Sequence, residues 1–442
     1  MFISSYWFRT RFYIIFSIFI DVTLFILFFI TNKLFNFGNN IILFNTFFLL
    51  IWILISYIIG RYHKVYLEII DPIKQIFFSI VNFFLFFSLT YFLYFKLLDL
   101  NFGNGFNQNF LIFIKYIFAS FVIQNILHRI FKNKFNFCQE WLIVGSNEFF
   151  IMCNDLIKKN SKVKLIFANL EELISDINSK RNIIVEDLSK YPYEYQEKII
   201  NLSFKGSNIV SIINWSEIIL QRIPLAFLSS DDLINLFSNV YNNKSFQVRL
   251  KRIADITLSI VIIFFSFPLI VIFSILIYFE DFGPVLYFQK RVGKNGEIFT
   301  ICKLRTMKTN AESKGVQWSK KGDKRVTNIG KFLRSTRIDE LPQLFSVLIG
   351  DMSLIGPRPE RPEIDLKLKE KIPFYELRYL IKPGLSGWAQ VNFPYGSSIK
   401  DSESKLTYDF FYIRNFSFWL DLLIFFKTIR LVSRREGSFP IK

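Results

Sequence analysis

The stretch Ile256-Thr-Leu-Ser-Ile-Val-Ile-Ile-Phe-Phe-Ser-Phe-Pro268-Leu-Ile-Val-Ile-Phe-Ser-Ile-Leu-Ile-Tyr-Phe279 decides how the rest of the chain is read. A run this long and apolar can cross about 30 Å of hydrocarbon as a helix. Pro268 stands in its middle and removes a backbone donor there. Both flanks are basic, with Arg249, Lys251 and Arg252 before the run and Lys290, Arg291 and Lys294 after it. Basic flanks mark the cytoplasmic side of a membrane segment, so both ends are expected on one face. A helix over about 256–279 that enters, breaks at Pro268 and returns satisfies both flanks; a plain spanning helix is the simpler alternative.

Four more apolar runs precede it, at about 12–31, 41–60, 76–97 and 109–127, each long enough to span. Arg9 and Arg11 lead the first, Arg61, Lys64 and Lys74 separate the second from the third, and Arg129, Lys132 and Lys134 follow the fourth. The same rule places the N-terminus, the middle loop and everything beyond about residue 130 in the cytoplasm. The first run lacks a small-residue cleavage site and reads as an anchor rather than a removed signal. The expectation is a multi-pass membrane protein with its N-terminus and its large downstream part in the cytoplasm.

Composition agrees. Of 442 residues, 52% are hydrophobic and 56 are Phe, which is too apolar for an ordinary soluble protein. The net charge of +18 fits an anionic membrane surface and phosphorylated ligands; nucleic acid is rejected because the basic residues cluster at membrane edges and in loops. Cys138, Cys153 and Cys302 show no metal-ligand spacing, and two histidines, His63 and His128, leave no multi-His metal site.

Between the membrane runs the pattern changes. Glu140-Trp-Leu-Ile-Val-Gly145 is a short apolar strand, and further strands are expected at 163–167, 182–185 and 208–213, separated by polar helical stretches. That alternation predicts a small α/β domain with a parallel sheet over 137–245. Its first turn, Gly145-Ser-Asn-Glu-Phe149, has one glycine where a dinucleotide site needs several, so the domain reads as a structural or regulatory module sooner than as a nucleotide site.

Motifs concentrate after the Pro-broken run. Gly283-Pro-Val285 leads to Gln289-Lys-Arg-Val-Gly293 and to Lys303-Leu-Arg305-Thr-Met307. Next come Arg334-Ser-Thr-Arg-Ile-Asp339-Glu340-Leu-Pro-Gln-Leu344 and Gly350-Asp-Met-Ser-Leu-Ile-Gly356-Pro-Arg358-Pro-Glu-Arg-Pro-Glu363. Last is Lys382-Pro-Gly-Leu-Ser-Gly-Trp-Ala-Gln-Val391, with Lys405-Leu406 and Tyr408-Asp409 beyond. Asp339 and Glu340 sit in a helical pattern, where neighbours project about 100° apart. They cannot form one chelating fork and suit separate roles, a nucleophile and a divalent-metal ligand. Taken alone, the pair would read as an exposed acidic start of a helix. Lys303, Arg305, Arg334 and Arg358 beside Gly and Pro turns change that reading, because arginine suits bidentate phosphate contact. Taken singly, each of these cations could equally belong to a solvated basic face.

In this order, after a Pro-broken apolar run, the motifs closely resemble the bacterial sugar transferase family, the polyprenyl-phosphate phosphoglycosyl transferases with a monotopic core. The likeness covers about Lys251 to Val432, while the upstream half resembles the family's larger members by layout only. The resemblance implies Asp339 as nucleophile and Glu340 as Mg²⁺ ligand, with Lys303, Arg334 and Arg358 at phosphate-contacting positions and Pro268 at the break of a re-entrant helix. Two departures stand out: Phe267, with Ser266 one place earlier, where the family often has Ser directly before the proline, and Arg337 where Ser is common.

The implied layout is four membrane helices over 1–136, a degenerate nucleotide-binding-like α/β domain over 137–245, and a mostly helical, membrane-associated catalytic domain over 246–442. The implied reaction moves hexose 1-phosphate from a UDP-sugar to undecaprenyl phosphate on the cytoplasmic face, releasing UMP through an aspartyl intermediate. It would begin synthesis of an exopolysaccharide, capsule or O-antigen, with glucose or galactose as the expected sugar. Membrane lipids are the expected surroundings and a homo-oligomer is allowed. A non-catalytic scaffold would keep the fold and lose the carboxylate pair, which is intact here. A polytopic transferase would need about ten or more membrane helices, which this chain lacks.

Overall fold

The computed structural model describes residues 16–28, 46, 49–54, 56–57, 115–120, 122–124, 126, 139–157, 163–168, 181–228, 232–233, 245–309, 311, 323–393, 396 and 398–433. The chain divides into two compact units, Met1–Ile212 and Ile213–Lys442.

In the first unit, helix α1 (Phe16–Phe28) falls in the first apolar run, and residues 49–54 and 115–120 are helical within the second and fourth. The third run, 76–97, lies outside the described residues. Tyr116 gathers these segments, its ring edge-on to Phe25 at 5.5 Å and to Trp52 at 6.3 Å. Beside it is a buried polar ladder. Ser120 Oγ and Gln124 Nε2 donate to Asp21 Oδ1 at 2.5 and 3.1 Å, and Gln124 Nε2 also donates to the Ser17 carbonyl at 2.7 Å. Residues four apart share a helix face, so Tyr116, Ser120 and Gln124 form one stripe against Ser17 and Asp21.

The α/β part holds β1 (Gln139–Val144), α2 (Asn147–Ile157), β2 (Val163–Phe167), β3 (Asn182–Val185), α3 (Tyr193–Phe204) and β4 (Asn208–Ser211). The four strands are all parallel, in the order β2–β1–β3–β4, with Trp141 opposite Leu165 and Ile143 opposite Ile184. The strands lie where the alternation placed them, except that the last ends at Ser211 because Ile212 begins helix α4 (Ile212–Ile219). Val144, Ile183 and Val185 bury against Ile199 and Leu202 of α3. This accounts for the near-continuous apolar strands of a covered parallel sheet.

The second unit is built on α5 (Ser245–Asp281), a single 37-residue helix that runs through Pro268, so the break expected there does not occur: the proline is carried inside a continuous helix. Its burial is inverted. Asp255, Ser259 and Ser266 are buried on one face, while Phe264, Phe265 and Phe267 are 74%, 74% and 58% exposed on the other. Both ends are fastened to the rest of this unit. Near the start, Lys251 Nζ donates to the Ile355 carbonyl at 2.7 Å and pairs with Asp421 at 2.8 Å, and Asp255 Oδ1 accepts from Leu354 N at 3.0 Å. Near the end, Ile277 packs with Leu304 and Leu333, Ile270 and Phe273 join that cluster, and the Phe273 ring stacks on Phe332 at 5.6 Å.

The antiparallel hairpin β5 (Leu286–Val292) and β6 (Ile298–Leu304) follows, then α6 (Asn328–Thr336), a 3₁₀ turn (Ile338–Gln343), α7 (Leu344–Ile349) and β7 (Ser353–Ile355). The unit closes with α8 (Pro362–Lys371), β8 (Gly384–Ser386) parallel to β7, α9 (Trp388–Asn392), α10 (Ile399–Asn415) and α11 (Phe418–Ser433).

Candidate active site

The carboxylate pair is placed by a sharp change of backbone. Thr327 caps α6 by accepting from Gly330 N at 3.0 Å, and Glu280 at the end of α5 accepts from Asn328 N at 2.9 Å. The helix stops at Arg337, whose φ of 58° and ψ of 16° are left-handed, a conformation uncommon for a residue other than glycine. Asp339 and Glu340 then lie in the 3₁₀ turn, with Pro342 inside it, rather than in the α-helix expected from the pattern. Three residues per turn put neighbours about 120° apart, so the separation of the two carboxylates inferred from the sequence becomes wider.

Both are buried, Asp339 at 8% exposure and Glu340 at 7%. Arg358 Nη2 donates to Glu340 Oε1, Lys303 Nζ lies 3.6 Å from the same oxygen, and Arg337 Nη1 lies 3.4 Å from Oε2. Each cation arrives from a different element. Lys303 lies on β6 opposite Tyr287, Arg337 ends α6, and Arg358 sits in the Gly356–Pro359 turn after β7. Arg334 Nε donates to Thr306 Oγ1 at 2.9 Å, which aims α6 across the strand end. Arg305 is buried and paired with Asp281, so its guanidinium ties β6 to the end of α5.

These residues line one cleft of about 1470 Å³, which holds Lys303, Arg305, Arg334, Arg337, Asp339, Glu340 and Arg358 together. Pro268 does not line it. Arg291, Arg378 and Asp409 do. Arg291 and Asp409 stand inside quoted motifs without having been assigned a role, and Arg378 carried no local signal.

The environment sets the two carboxylates apart. Burial and the neighbouring Glu340 charge push Asp339 up to about 6, against the pull of Lys303, Arg334 and Arg337. Burial acts on Glu340 in the same direction, but Arg358, Lys303 and Arg337 overcome it and hold that carboxyl well below its usual range. Burial draws Lys303 down to about 8, with Glu340 opposing. Glu340 is therefore the fixed anion of the pair, and Asp339 the carboxylate that takes up a proton more readily.

The donor set accommodates a divalent cation in one particular way. Among the described residues there is no group of three His, Cys, Asp or Glu side chains that could hold a metal ion. Glu340 Oε2 accepts the longer contact, from Arg337 at 3.4 Å, while Oε1 carries the closer Arg358 contact, so Oε2 is the less engaged oxygen. Mg²⁺ commonly takes one or two carboxylates and completes its shell with substrate phosphates and water, and this site fits that pattern.

The α/β unit offers no comparable site at its first turn. Glu186 Oε2 accepts from Ser146 N at 2.8 Å, and Lys190 Nζ pairs with Glu186 at 2.6 Å. The backbone N–H that would greet a pyrophosphate after β1 is taken by the protein's own carboxylate.

A buried carboxylate and a clamped one in a cation-lined cleft, beside a helix with an outward apolar face, suit the class of enzymes that handle phosphates beside an apolar phase. Comparison with known proteins gives this class its name. The family model described as Bacterial sugar transferase matches residues 246–435. A putative undecaprenyl-phosphate N-acetylgalactosaminyl 1-phosphate transferase of Bacillus subtilis is 53% identical over 29% of this chain and 72% of its own length. A UDP-glucose:undecaprenyl-phosphate glucose-1-phosphate transferase of Caulobacter vibrioides is 39% identical over 43% of this chain and 72% of its own. A UDP-N-acetylgalactosamine-undecaprenyl-phosphate N-acetylgalactosaminephosphotransferase of Aeromonas hydrophila is 44% identical over 50% of this chain, and the chain spans about half of that relative, 52% of its length. The chain belongs to the bacterial sugar transferase family.

Proposed function

We propose that the protein transfers a sugar 1-phosphate from a UDP-sugar to undecaprenyl phosphate at the cytoplasmic face of a bacterial membrane, as the first step of a surface polysaccharide. The observation that carries this reading is the division of labour in the cleft, with Glu340 held by three cations and Asp339 buried beside it with a raised affinity for protons. The names of the relatives support the reaction and widen the sugar from glucose or galactose to include N-acetylhexosamines.

In the first step an Asp339 carboxylate oxygen attacks the β-phosphorus of the donor. The new O–P bond forms as the bond to the bridging oxygen breaks, and UMP leaves with that electron pair. In the second step a phosphate oxygen of the lipid attacks the same phosphorus, releasing Asp339 and forming a diphosphate-linked sugar. Splitting the transfer this way replaces one hard displacement with two easier ones. Lys303, Arg334 and Arg358 line the path of the phosphates and offset charge developing on their oxygens. Glu340 would hold Mg²⁺, which when bound neutralises charge on the departing phosphate.

The inverted burial of α5 supports a lipid-facing role for it, because exposed Phe264, Phe265 and Phe267 suit hydrocarbon while the polar side is covered by protein. The fastening of both ends of α5 to one unit supports both flanks lying on one face of the membrane, while the helix itself continues through Pro268. The four upstream runs are read as the accompanying membrane helices, and residues 137–245 as a degenerate α/β domain between them and the catalytic domain.

The test is UMP release from a panel of UDP-sugars by membranes containing the protein, with undecaprenyl phosphate and Mg²⁺, for the wild type and Asp339→Asn. Release that needs the lipid, Mg²⁺ and Asp339 is expected. Full activity in Asp339→Asn would sink the covalent mechanism, and no release from any donor would sink the proposed reaction.

A further inference from the structure

The turn that presents Arg358 is held at several points along its backbone. Gly356 N donates to the Ser386 carbonyl at 2.8 Å, and Gly384 N donates to the Pro357 carbonyl at 2.8 Å. On the far side, Arg291 Nη1 donates to the Pro359 carbonyl at 2.9 Å, and Val292 N donates to the Glu360 carbonyl at 3.0 Å. The carbonyl of Arg358 itself accepts from Arg378 Nη2 at 2.6 Å.

Arg378 is a hub behind this turn. It is 8% exposed, Nη1 donates to Tyr375 Oη, and Nη2 lies 3.4 Å from Asp409 Oδ2. Its guanidinium also covers the Tyr375 ring at 5.0 Å. A buried guanidinium is costly unless its charge and its donors are met, and here Asp409 supplies the charge while Tyr375 and the Arg358 carbonyl take the donors. The planar fork fixes all three directions at once, which a lysine cannot do.

We propose that Arg378 is a positioning residue for the transfer, locking the Arg358 backbone so that the Arg358 side chain stays on Glu340, with Asp409 as the counter-charge that keeps Arg378 in place. This rests on the proposed reaction for the meaning of Arg358, and on the bond pattern alone for the lock. A group held in this way contributes to turnover through orientation; displacement by about 1 Å in such a site can cost ~100-fold in rate. Donor affinity is set by the other phosphate contacts and is expected to change little.

The experiment measures kcat and KM for UMP release by the full-length protein in lipid nanodiscs, with undecaprenyl phosphate, for Arg378→Lys, Arg378→Gln, Arg358→Gln and the Arg378→Gln/Arg358→Gln double variant. Each is also followed by its thermal unfolding midpoint. The expected result is a kcat lowered ~10- to 100-fold in both Arg378 variants, with KM for the donor within about threefold. The double variant should be no slower than Arg358→Gln alone, because the two residues act as one unit. Arg378→Lys keeps the charge against Asp409, so its kcat should fall even where its midpoint matches the wild type.

Three results would overturn the proposal. A raised KM with kcat kept would make Arg378 a direct donor contact. Losses that multiply in the double variant would make the two arginines independent. A fall in kcat that tracks the loss of folded protein, and vanishes in Arg378→Lys, would make Arg378 structural only. A wild type that releases no UMP refutes the reaction instead, so the two failures are told apart.

Discussion

The Arg358 guanidinium rests on Oε1 of Glu340 across 18 residues of sequence, and this contact decides which of the two neighbouring carboxylates is the fixed one. Among the described residues no comparable clamp holds Asp339, and burial and charge set its behaviour. Removing the Glu340 charge should therefore be felt by the fold as well as by the reaction. Glu340→Gln leaves Lys303, Arg337 and Arg358 converging without an anion, and unpaired buried charge typically costs about 3–5 kcal/mol. The expected outcome is a lower unfolding midpoint together with loss of UMP release. A midpoint equal to or above that of the wild type would show that the three cations do not depend on Glu340.

Asp409 gives a pH signature. Burial pushes its carboxyl up to about 6, with Arg378 and Lys405 opposing and Glu360 adding to the rise. A carboxyl with a raised folded-state value favours the protonated fold, so its contribution is complete below the unfolded value near 4 and is lost as pH climbs through about 6. A rise from near 4 to about 6 corresponds to roughly 3 kcal/mol. Unfolding midpoints of the wild type should decline over that window, and Asp409→Asn should flatten this part of the curve whatever its absolute stability. Parallel curves for the two proteins would assign the decline to other groups.

The crossing of the Gly356 turn and β8 tolerates no side chain. A Cβ added at Gly384 would come within 2.6 Å of both Gly356 Cα and the Ser386 carbonyl, backbone atoms that cannot swing aside. Gly384→Ala should cost at least about 1–3 kcal/mol and displace Arg358 with it. The measurement is unfolding midpoint and turnover side by side; unchanged values for both would refute the crowding argument.

The path of α5 can be read chemically. In a chain with Cys138, Cys153 and Cys302 replaced, single cysteines at Arg249 and Lys290 should both react with an impermeant maleimide from inverted vesicles and be shielded in intact spheroplasts. Opposite sidedness at the two positions would establish a single crossing and remove the re-entrant reading.

Much of this protein is written locally. Apolar runs, the alternation that gives β1 to β4, and the order of the Gly, Pro and Arg motifs depend on residues close in sequence, so period and composition reveal them. Lys303, Arg334, Asp339, Glu340 and Arg358 could be singled out because each stands beside a turn or in an unusual pair. The fate of each charge was not legible in this way. Arg305 looks like its neighbour Lys303 in sequence, yet it pairs with Asp281, 24 residues away. Glu186 has no motif at all, yet it fills the first turn of the α/β unit from 40 residues beyond Ser146. Arg378 reaches the Arg358 carbonyl across 20 residues and Asp409 from another helix.

The left-handed Arg337 belongs to the same group, because a helix and a 3₁₀ turn must meet at an angle that only their packing imposes. Sequence by itself determined the apolar runs, the strands and the presence of a neighbouring carboxylate pair among cations, since these follow from local period and from side-chain type. Tertiary structure alone decided which cation meets which carboxylate, and so which acid is held as a fixed anion, because Coulomb energy and desolvation depend on distance in space and not on order along the chain.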